Sequence, residues 1–339
     1  MKDGSLVDKL GEGPSKRLAR ELCIILPALN EAKTVGTVIQ RIPLARLRGD
    51  GLVPRVLVVD GKSVDATCDV ARLHGAEIVA QVGRGKGNAI RQVHQALKEE
   101  AAHAPRALAV PRYFVVLDAD ATYPPERIPD LVEKLASGAN LVLASRLNGT
   151  MESGAMTNLN RLGNSLLTGM FRLLNGVAVS DACTGMYGFD EEVFHSLDLK
   201  ADGFDVEADI FSSACLAGAR IDEVEIHYGR RDGTPRLTPL RAGIRIAIRI
   251  FLRRIQGLRA PSKPVSEMPA RDPVAVRRPT NEVPSLPAMG LAKALTQSLM
   301  APDVALPVPQ ARVRGMWTEA PISAIDIPGP SGPLEPGSG

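Results

Sequence analysis

Short runs of β-branched and aliphatic residues alternate with segments of helical periodicity through the first 146 residues of the chain. The strand-like runs lie at residues 22–26, 55–59, 77–81, 113–117 and 141–144, and the helix-like segments lie at residues 34–41, 65–74, 88–101 and 129–137. This alternation predicts an α/β fold with a mostly parallel central sheet flanked by helices. In such a sheet, ligands gather at the carboxyl ends of the strands. We therefore expect a binding site at that edge.

The fourth strand-like run ends in two carboxylates. In the segment YFVVLDADATYPPE, at residues 113–126, four apolar β-formers lead to Asp118 and Asp120. Both side chains converge on one ion when the chain turns at Ala119, and the prolines that follow end the strand. Mg²⁺ and Mn²⁺ take oxygen ligands and commonly lie between carboxylates and substrate phosphates. The pair thus predicts a divalent metal that holds a diphosphate, although Asp-x-Asp alone is more often a turn at a strand end.

The apolar residues are unevenly distributed, and this divides the 339-residue chain into three parts. From Ala260 onward the sequence holds 15 of the 26 prolines and one aromatic residue, Trp317. We therefore expect residues 261–339 to form a proline-rich, mostly disordered tail. Residues 1–20 are polar and charged, and we expect an N-terminal extension there. The folded domain is predicted at residues 21–260, divided into a first half at 21–146, a second half at 147–238 and a basic amphipathic helix at 239–260.

Composition excludes several classes of function. The N-terminal segment lacks the apolar core of a signal peptide, and no apolar run approaches the roughly 18 to 20 residues needed to cross a bilayer. We therefore expect a cytoplasmic protein. The four cysteines are scattered without a Cys-x-x-Cys pair and are predicted to be reduced thiols. A net charge of +3 is too small for a general nucleic-acid binder, so no nucleic-acid partner is expected.

The last helical segment of the domain, at residues 239–259, carries arginines four residues apart, at positions 241, 245, 249 and 253. On a helix this spacing makes a basic stripe. The apolar stripe beside it contains Ile244, Ile248, Phe251, Leu252 and Ile255. Two interpretations stand: a helix that lies on an anionic membrane surface, and a surface helix that packs on the domain through its isoleucines.

Four sequence motifs occur in order through the first half. They are ILPALNEAKTV, VVDGKSVDAT, GRGKGNAIRQ and LDADATYPPE. Together they resemble the family 2 glycosyltransferases of GT-A fold, most closely the dolichyl-phosphate or polyprenyl-phosphate sugar synthases. The resemblance extends from Cys23 to Arg254 and implies a Rossmann-like nucleotide-diphospho-sugar transferase. Gly61 stands where the family has a second aspartate, and the resulting Asp-Gly is similar to a variant seen among polyprenyl-phosphate glucose synthases.

The resemblance implies that the first half binds a donor sugar nucleotide and a metal. Asp118 and Asp120 match the metal-binding Asp-x-Asp of the family and would hold Mg²⁺ or Mn²⁺. The glycine-rich motif permits close backbone approach and places positive charge at a helix N-terminus. From the residues alone, Asn30, Glu31 and Asp65 also fit the start of a helix. The implied donor-binding residues are Pro27, Ala28, Asn30, Glu31, Asp60, Arg84, Lys86, Gly87 and Asp118.

The second half is implied to bind the acceptor through arginines, because guanidinium groups contact phosphates in a bidentate manner. The alternative for Arg146 is a surface ion pair with Glu152 or Glu133. The implied acceptor-binding residues are Arg146, Arg161, Arg231 and Arg236. The resemblance also carries over Asp181, in DACTGMYGFD, so that the implied catalytic set is Asp118, Asp120, Asp181 and Arg231.

The implied activity is inverting, metal-dependent transfer of a hexose to a polyprenyl or dolichyl phosphate. UDP-glucose is favoured as the donor, with GDP-mannose next. An ionised phosphate needs no general base, whereas a hydroxyl acceptor would make Asp181 the leading base candidate. A lipid acceptor implies a protein peripheral to the inner face of the membrane. Three alternatives stay open: a soluble transferase with a small acceptor such as phosphoglycerate or a cell-wall sugar, a nucleotidyltransferase, and an inactive binding scaffold.

Overall fold

The computed structural model describes residues 20–103, 112–231 and 239–259, and seven strands in this part of the chain form one sheet. The strands are β1 (Arg20–Ala28), β2 (Leu52–Asp60), β3 (Glu77–Ala80), β4 (Arg112–Val116), β5 (Leu141–Met151), β6 (Tyr187–Asp190) and β7 (Ile221–Tyr228). Their order across the sheet is β3-β2-β1-β4-β6-β5-β7. Neighbouring strands are parallel except for β6, which is antiparallel to β4 and β5.

Helices cover both faces of the sheet. They are α1 (Val35–Arg41), α2 (Leu44–Gly49), α3 (Thr67–Leu73), α4 (Lys86–His103), α5 (Ile128–Ala136), α6 (Asn158–Asn175), α7 (Glu191–Ser196), α8 (Val206–Leu216) and α9 (Pro239–Arg259). Because successive strand residues point to opposite faces, the buried apolar side chains form two clusters, one on each face. α6 begins where the Thr157 side chain accepts the N–H of Asn160, and it ends at Gly176, whose φ of 69° favours glycine.

The predicted α/β fold with a mostly parallel sheet is confirmed. Each strand-like or helix-like segment predicted between residues 22 and 144 forms that element, with shifted ends. Sequence reasoning missed α2, α7 and β7. The sequence of β7, IDEVEIHY, alternates charged and apolar residues, and Val224 and Ile226 are its buried side chains. The second half also contributes to the sheet, since β6 lies between β4 and β5.

Two arginines of α9, Arg249 and Arg253, face α8. Arg249 Nε lies 2.9 Å from Asp205 Oδ2, at the start of α8. Arg253 Nε lies 2.6 Å from Asp209 Oδ1, and Asp209 is fully buried. The prediction of an outward basic stripe is therefore wrong for Arg249 and Arg253, because carboxylates buried on α8 need counter-charges.

The apolar stripe of α9 faces outward instead. Among the described isoleucines of α9, Ile246 and Ile250 are the two that pack against an apolar cluster of the core. The alternative of a helix that packs on the domain through its isoleucines therefore holds for these two alone. α6 packs along α9 and also carries exposed leucines. None of the described helices is long and apolar enough to cross a membrane. What we call the apolar surface of α6 and α9 consists of Leu159, Leu162, Leu166, Leu173, Leu240, Ile244, Ile248, Phe251, Leu252 and Leu258.

We expect Arg253→Met to lower the free energy of unfolding by about 3–5 kcal/mol, because it leaves Asp209 buried without its closest counter-charge. Urea denaturation followed by circular dichroism measures this. Arg241→Met is the control, since Arg241 is an exposed arginine of the same helix, and it is expected to change that free energy by less than about 0.5 kcal/mol. Equal effects of the two substitutions would contradict the inward orientation of Arg253.

Candidate active site

Loops that follow β1, β2 and β4 meet at the carboxyl edge of the sheet. Asn30 Oδ1 accepts the N–H of Val64 at 2.8 Å, and Ser63 Oγ accepts the N–H of Asn30 at 2.8 Å. Thr34 Oγ1 donates to the carbonyl oxygen of Ala119 at 2.8 Å, which joins the first loop to the third. Asn30 holds a left-handed φ of 49°, which asparagine tolerates better than most residues. Asn30 therefore links two loops, and its donor contact stays a prediction.

Predicted donor residues lie side by side at the ends of β1 and β2. Pro27 and Ala28 pair with the last residues of β2, so that Ala28 is opposite Asp60. The Asp60 carboxylate accepts the backbone N–H groups of Lys62 and Ser63 at 3.2 Å. Because these bonds fix the carboxylate, Asp60 presents a preoriented acceptor at the strand end.

Gly61 is packed against the end of β1. Its N–H donates to the carbonyl oxygen of Ala28 at 2.7 Å. A Cβ at this position would lie 3.2 Å from that oxygen and 3.2 Å from Gln81 Oε1. Gln81 is buried, and its Nε2 donates to the carbonyl oxygen of Gly85 at 2.8 Å. The side chain of Gln81 therefore packs beside the position where the family's second aspartate would stand.

Asp118 belongs to a partly buried cluster of three charges, in which Glu207 is the buried member. Lys86 Nζ lies 2.5 Å from Asp118 Oδ1 and 2.6 Å from Glu207 Oε1. The contact with Glu207 is an ion pair that lacks hydrogen-bond alignment. Burial raises the pKa of Asp118 to about 6, although Lys86 opposes the rise. Burial disfavours the charge of Lys86, but Asp118 and Glu207 outweigh this effect and hold its pKa above the ordinary value. The lysine is therefore charged at neutral pH.

Asp120 lies in a second charged cluster. Thr122 donates its N–H to Asp120 Oδ1 at 3.1 Å and its hydroxyl to the same oxygen at 2.6 Å. One terminal nitrogen of Arg231 lies 3.2 Å from Asp120 Oδ2, and the other lies 3.0 Å from Glu31 Oε1. The fold thus brings together Glu31, Asp120 and Arg231, which belong to three separate motifs.

Asp118 and Asp120 fit a divalent ion such as Mg²⁺ or Mn²⁺. Asp118 Oδ2 faces Gly185, where a Cβ would clash with this oxygen, so the glycine keeps space beside the carboxylate. Within the described residues there is no group of three or more His, Cys, Asp or Glu side chains able to hold a metal. An ion here would take two protein carboxylates and complete its shell with phosphate oxygens and water. This is the usual coordination of Mg²⁺ in phosphate-binding enzymes.

The glycine-rich loop before α4 makes close contact with the backbone of residues 201–203. A Cβ on Gly85 or Gly87 would clash with this backbone. The N–H groups of Gly87 and Asn88 donate to carbonyl oxygens of the same segment, each at 3.1 Å. The expectation of a helix N-terminus open to phosphate is therefore wrong for these two N–H groups. Arg84 is exposed, and its contact with the donor stays a prediction.

Arg146 and Asp181 form a buried pair. Nε and one terminal nitrogen of Arg146 donate to the two carboxylate oxygens of Asp181 at 2.7 and 2.9 Å. The same terminal nitrogen donates to the carbonyl oxygen of Cys183 at 2.7 Å. The alternative partner for Arg146, Glu152 or Glu133, is wrong. Because Asp181 is fully buried and Arg146 nearly so, the roles of both residues towards an acceptor stay predictions.

The other predicted acceptor arginines are more dispersed. Arg161 is exposed on α6. Arg231 contacts Asp120 and Glu31 at the carboxyl edge of the sheet. We call the part of this edge formed by Asp118, Asp120, Lys86 and Arg231 the metal edge, because it could hold an ion. Arg236 lies outside the described residues. The structure therefore does not bring the implied acceptor set together as one cluster within its described part.

Sequence reasoning missed Glu207 and Gln81. Every residue of α8 from Val206 to Ala214 is buried. The sequence could have indicated Glu207, because a glutamate in a largely apolar helix is expected to be buried and a buried carboxylate requires a partner. Gln81 ends a short edge-strand segment and gave no comparable signal.

Comparison with known proteins agrees with this geometry. Residues 23–197 match glycosyl transferase family 2. The chain is 33% identical over 234 residues to the glycosyltransferase AglJ of Haloferax volcanii, which covers 68% of this chain and 71% of AglJ. It is 30% identical over 226 residues to a dolichyl-phosphate hexose transferase of the same organism, covering 67% of this chain and 90% of that protein.

A solved structure of glucosyl-3-phosphoglycerate synthase from Mycobacterium tuberculosis also resembles this fold. It contains Mn²⁺, uridine diphosphate and glucosyl-3-phosphoglycerate. The two chains are 26% identical, the TM-score is 0.52, and the match covers 69% of this chain and 80% of the other.

The mostly parallel sheet with its charged carboxyl edge defines a protein of GT-A-like fold. The chain belongs to glycosyltransferase family 2. It is thus an enzyme of the glycosyltransferase class, which sets aside the nucleotidyltransferase alternative.

We expect Gly87→Ala to destabilise the protein by about 1–3 kcal/mol, because the new methyl group would displace the backbone of residues 201–203. Gly163→Ala in α6 is a matched control, since a Cβ there meets no atom within 4 Å. This control is expected to stabilise the protein by up to about 1 kcal/mol through helix propensity. Urea midpoints compare the two variants, and a shift of the same sign in both would contradict the close approach at Gly87.

Proposed function

We propose that this enzyme transfers a hexose from a nucleotide-diphosphate sugar to a polyprenyl or dolichyl phosphate, with Mg²⁺ or Mn²⁺ and with inversion at the sugar carbon. The observation that carries the proposal is the pairing of each metal-site carboxylate with a cation. Asp118 has Lys86 at 2.5 Å, and Asp120 has Arg231 at 3.2 Å. Such an edge combines oxygen ligands for a metal with positive charge for a diphosphate. The 30% identity to a dolichyl-phosphate hexose transferase supports the acceptor class.

The side chains at this edge suit a reaction in which a diphosphate leaves. A divalent ion bound by Asp118 and Asp120 would neutralise part of the diphosphate charge. We propose that Lys86 and Arg231, which contact these two carboxylates, stabilise the negative charge that grows on the leaving group. Thr122 and Arg231 hold Asp120 in one orientation, and a carboxylate oriented in this way would reduce the reorganisation that the proposed reaction requires.

UDP-glucose is the donor that we favour, and GDP-mannose is the next candidate. The Asp-Gly pair at Asp60 and Gly61 resembles the variant of polyprenyl-phosphate glucose synthases. The related synthase structure that contains uridine diphosphate and Mn²⁺ supports a uridine nucleotide. Gln81, whose side chain lies beside Gly61, is a further polar group near this part of the proposed donor site.

A phosphate acceptor agrees with the environment of Asp181. A hydroxyl acceptor needs a general base, but Asp181 is fully buried and accepts hydrogen bonds from Arg146. An ionised phosphate needs only to be positioned for attack on the sugar carbon. We propose that Arg161 and Arg231 contribute to this positioning, because Arg161 is exposed and Arg231 lies at the metal edge.

A second candidate function is transfer to a small soluble phosphorylated acceptor. The observation that favours it is the structural likeness to glucosyl-3-phosphoglycerate synthase, at a TM-score of 0.52. The same metal edge would serve both acceptors, since each offers an ionised group. The two functions are distinguished by whether the labelled product is extracted into organic solvent or stays in water.

We also propose that the protein binds the cytoplasmic face of a membrane through the apolar surface of α6 and α9. Neither helix contains an aspartate or glutamate, whereas Arg161, Arg172 and Arg241 are exposed on them. This combination of apolar and cationic groups complements an anionic lipid surface. Because Arg249 and Arg253 are engaged with α8, insertion of apolar side chains is the main contribution that we expect.

Transfer activity tests the main proposal. Purified protein is incubated with Mn²⁺ or Mg²⁺, polyprenyl phosphate and radiolabelled UDP- and GDP-sugars, and label extracted into organic solvent is counted. We expect organic-phase label from UDP-glucose, and we expect Asp118→Asn to reduce its rate by about 100-fold or more, because a metal ligand is lost. Asp69→Asn, at an exposed carboxylate of α3, is the control.

Two results would contradict the proposal. Full activity of Asp118→Asn at the same metal concentration would contradict the assignment of Asp118 as a metal ligand. Label found only in a water-soluble product, with phosphoglycerate supplied as an acceptor, would favour the second candidate function.

Flotation with liposomes tests the membrane proposal. We expect the protein to float with vesicles that contain anionic lipid, and we expect most of this binding to persist at about 0.5 M salt because apolar insertion is screened little. The double variant Ile248→Ser/Phe251→Ser is expected to lose binding. Leu73→Ser, at an exposed leucine of α3, is the matched control. Retention of binding by the double variant would contradict a docking surface on α9.

A further inference from the structure

We infer that Glu207 is a positioning residue that holds Lys86 at the metal edge of the active site. The inference rests on the proposed use of Asp118 as a metal ligand. It adds a role for a residue of the second half that none of the four motifs contains.

Glu207 is a buried carboxylate in the first turn of α8. It is 7% exposed, and its neighbours in α8 from Val206 to Ala214 are buried. Lys86, 2.6 Å from its Oε1, is the one cation that the described residues place against it in an ion pair. A buried carboxylate with a single imperfectly aligned partner is a weak source of stability. Its position next to an active-site lysine therefore calls for another explanation.

Lys86 contacts two carboxylates, Asp118 and Glu207, to which we assign different roles. Asp118 is a proposed metal ligand, whereas Glu207 lies on a helix away from the Asp-x-Asp loop. An ammonium group has three N–H donors and can contact both carboxylates at once. When Asp118 serves the metal, its attraction for Lys86 weakens. Glu207 is then the carboxylate that keeps the ammonium beside the diphosphate.

Glu207 is suited to this task because α8 is anchored on its opposite side. Asp209 accepts the N–H groups of Lys200 and Ala201 at 2.6 and 2.8 Å, and it contacts Arg253 of α9. These contacts connect α8 to the segment that precedes it and to α9. The two acidic residues of α8 thus have separate partners, one at the active site and one in the outer helix.

The expected consequence is an effect of Glu207 on metal affinity. Without the charge of Glu207, Lys86 would interact with Asp118 alone and compete more strongly with the ion for that carboxylate. The negative potential at the metal edge would also fall. Both effects weaken metal binding, and we expect Glu207→Gln to raise the dissociation constant of Mn²⁺ by about ten-fold.

Titration of Mn²⁺ followed by electron paramagnetic resonance, with UDP and separately with GDP, measures this constant without an acceptor. Glu207→Asp, which keeps the charge on a shorter side chain, is expected to restore at least part of the affinity. Asp222→Asn is the matched control, because it removes a carboxylate paired with Lys134 at the surface, at 3.0 Å. Thermal melts verify that each variant is folded.

A double-mutant cycle separates positioning from general electrostatics. Glu207→Gln is repeated in a Lys86→Met background. If Glu207 acts through Lys86, the substitution changes Mn²⁺ affinity much less in that background than in wild type. An equal change in both backgrounds would overturn the positioning role.

The remaining outcomes are also decisive. Wild-type affinity in folded Glu207→Gln would overturn the inference and leave the proposed function intact. Absence of Mn²⁺ binding by the wild-type protein with either nucleotide would overturn both the metal assignment and the inference. Partial rescue by Glu207→Asp together with non-additivity in the cycle would support it.

Discussion

Several carboxylates that are buried or partly buried in this domain lie against cations that come from distant parts of the chain, because an unpaired charge in the interior is strongly unfavourable. Three of the four contacts join a segment of the second half to the sheet or to another helix, and the fourth joins Lys86 to Asp118 within the first half. The same type of interaction therefore assembles the metal edge and fixes the outer helices. The contacts are those of Lys86 with Asp118 and Glu207, Arg146 with Asp181, and Arg253 with Asp209.

The first half of the fold was predictable from the sequence because its signals are local. A buried parallel strand appears as a short apolar run, and the helix that follows has its own period. β7 gave no such signal, since charged residues alternate with its apolar ones at the edge of the sheet. In α9 the arginine stripe and the isoleucine stripe have the same spacing. Asp209, 44 residues before Arg253, decides which stripe faces inward.

The candidate site was predictable to a similar extent. Asp118 and Asp120 follow a strand directly, so their place at the carboxyl edge of the sheet could be deduced. The ion-pair partners of the charged residues could not be deduced, since a sequence does not show which acidic and basic residues from distant segments come into contact. Arg146 illustrates this: a surface pair was the alternative to an acceptor contact, whereas the fold buries it against Asp181. The sequence also did not show that residues 201–203 would occupy the N-terminus of α4.

The orientation of α9 gives its two faces different freedom to change during evolution. On the inner face, a lone substitution at Arg253 or Asp209 leaves one buried charge without a partner, whereas replacement of both by apolar residues can preserve stability. Substitutions at these two positions are therefore expected to occur together among related proteins. The outer face carries no such pairing, and residues such as Ile248 are constrained only by the surface that they meet. Among related sequences, we therefore expect correlated substitutions on the inner face of α9 and independent substitutions on its outer face.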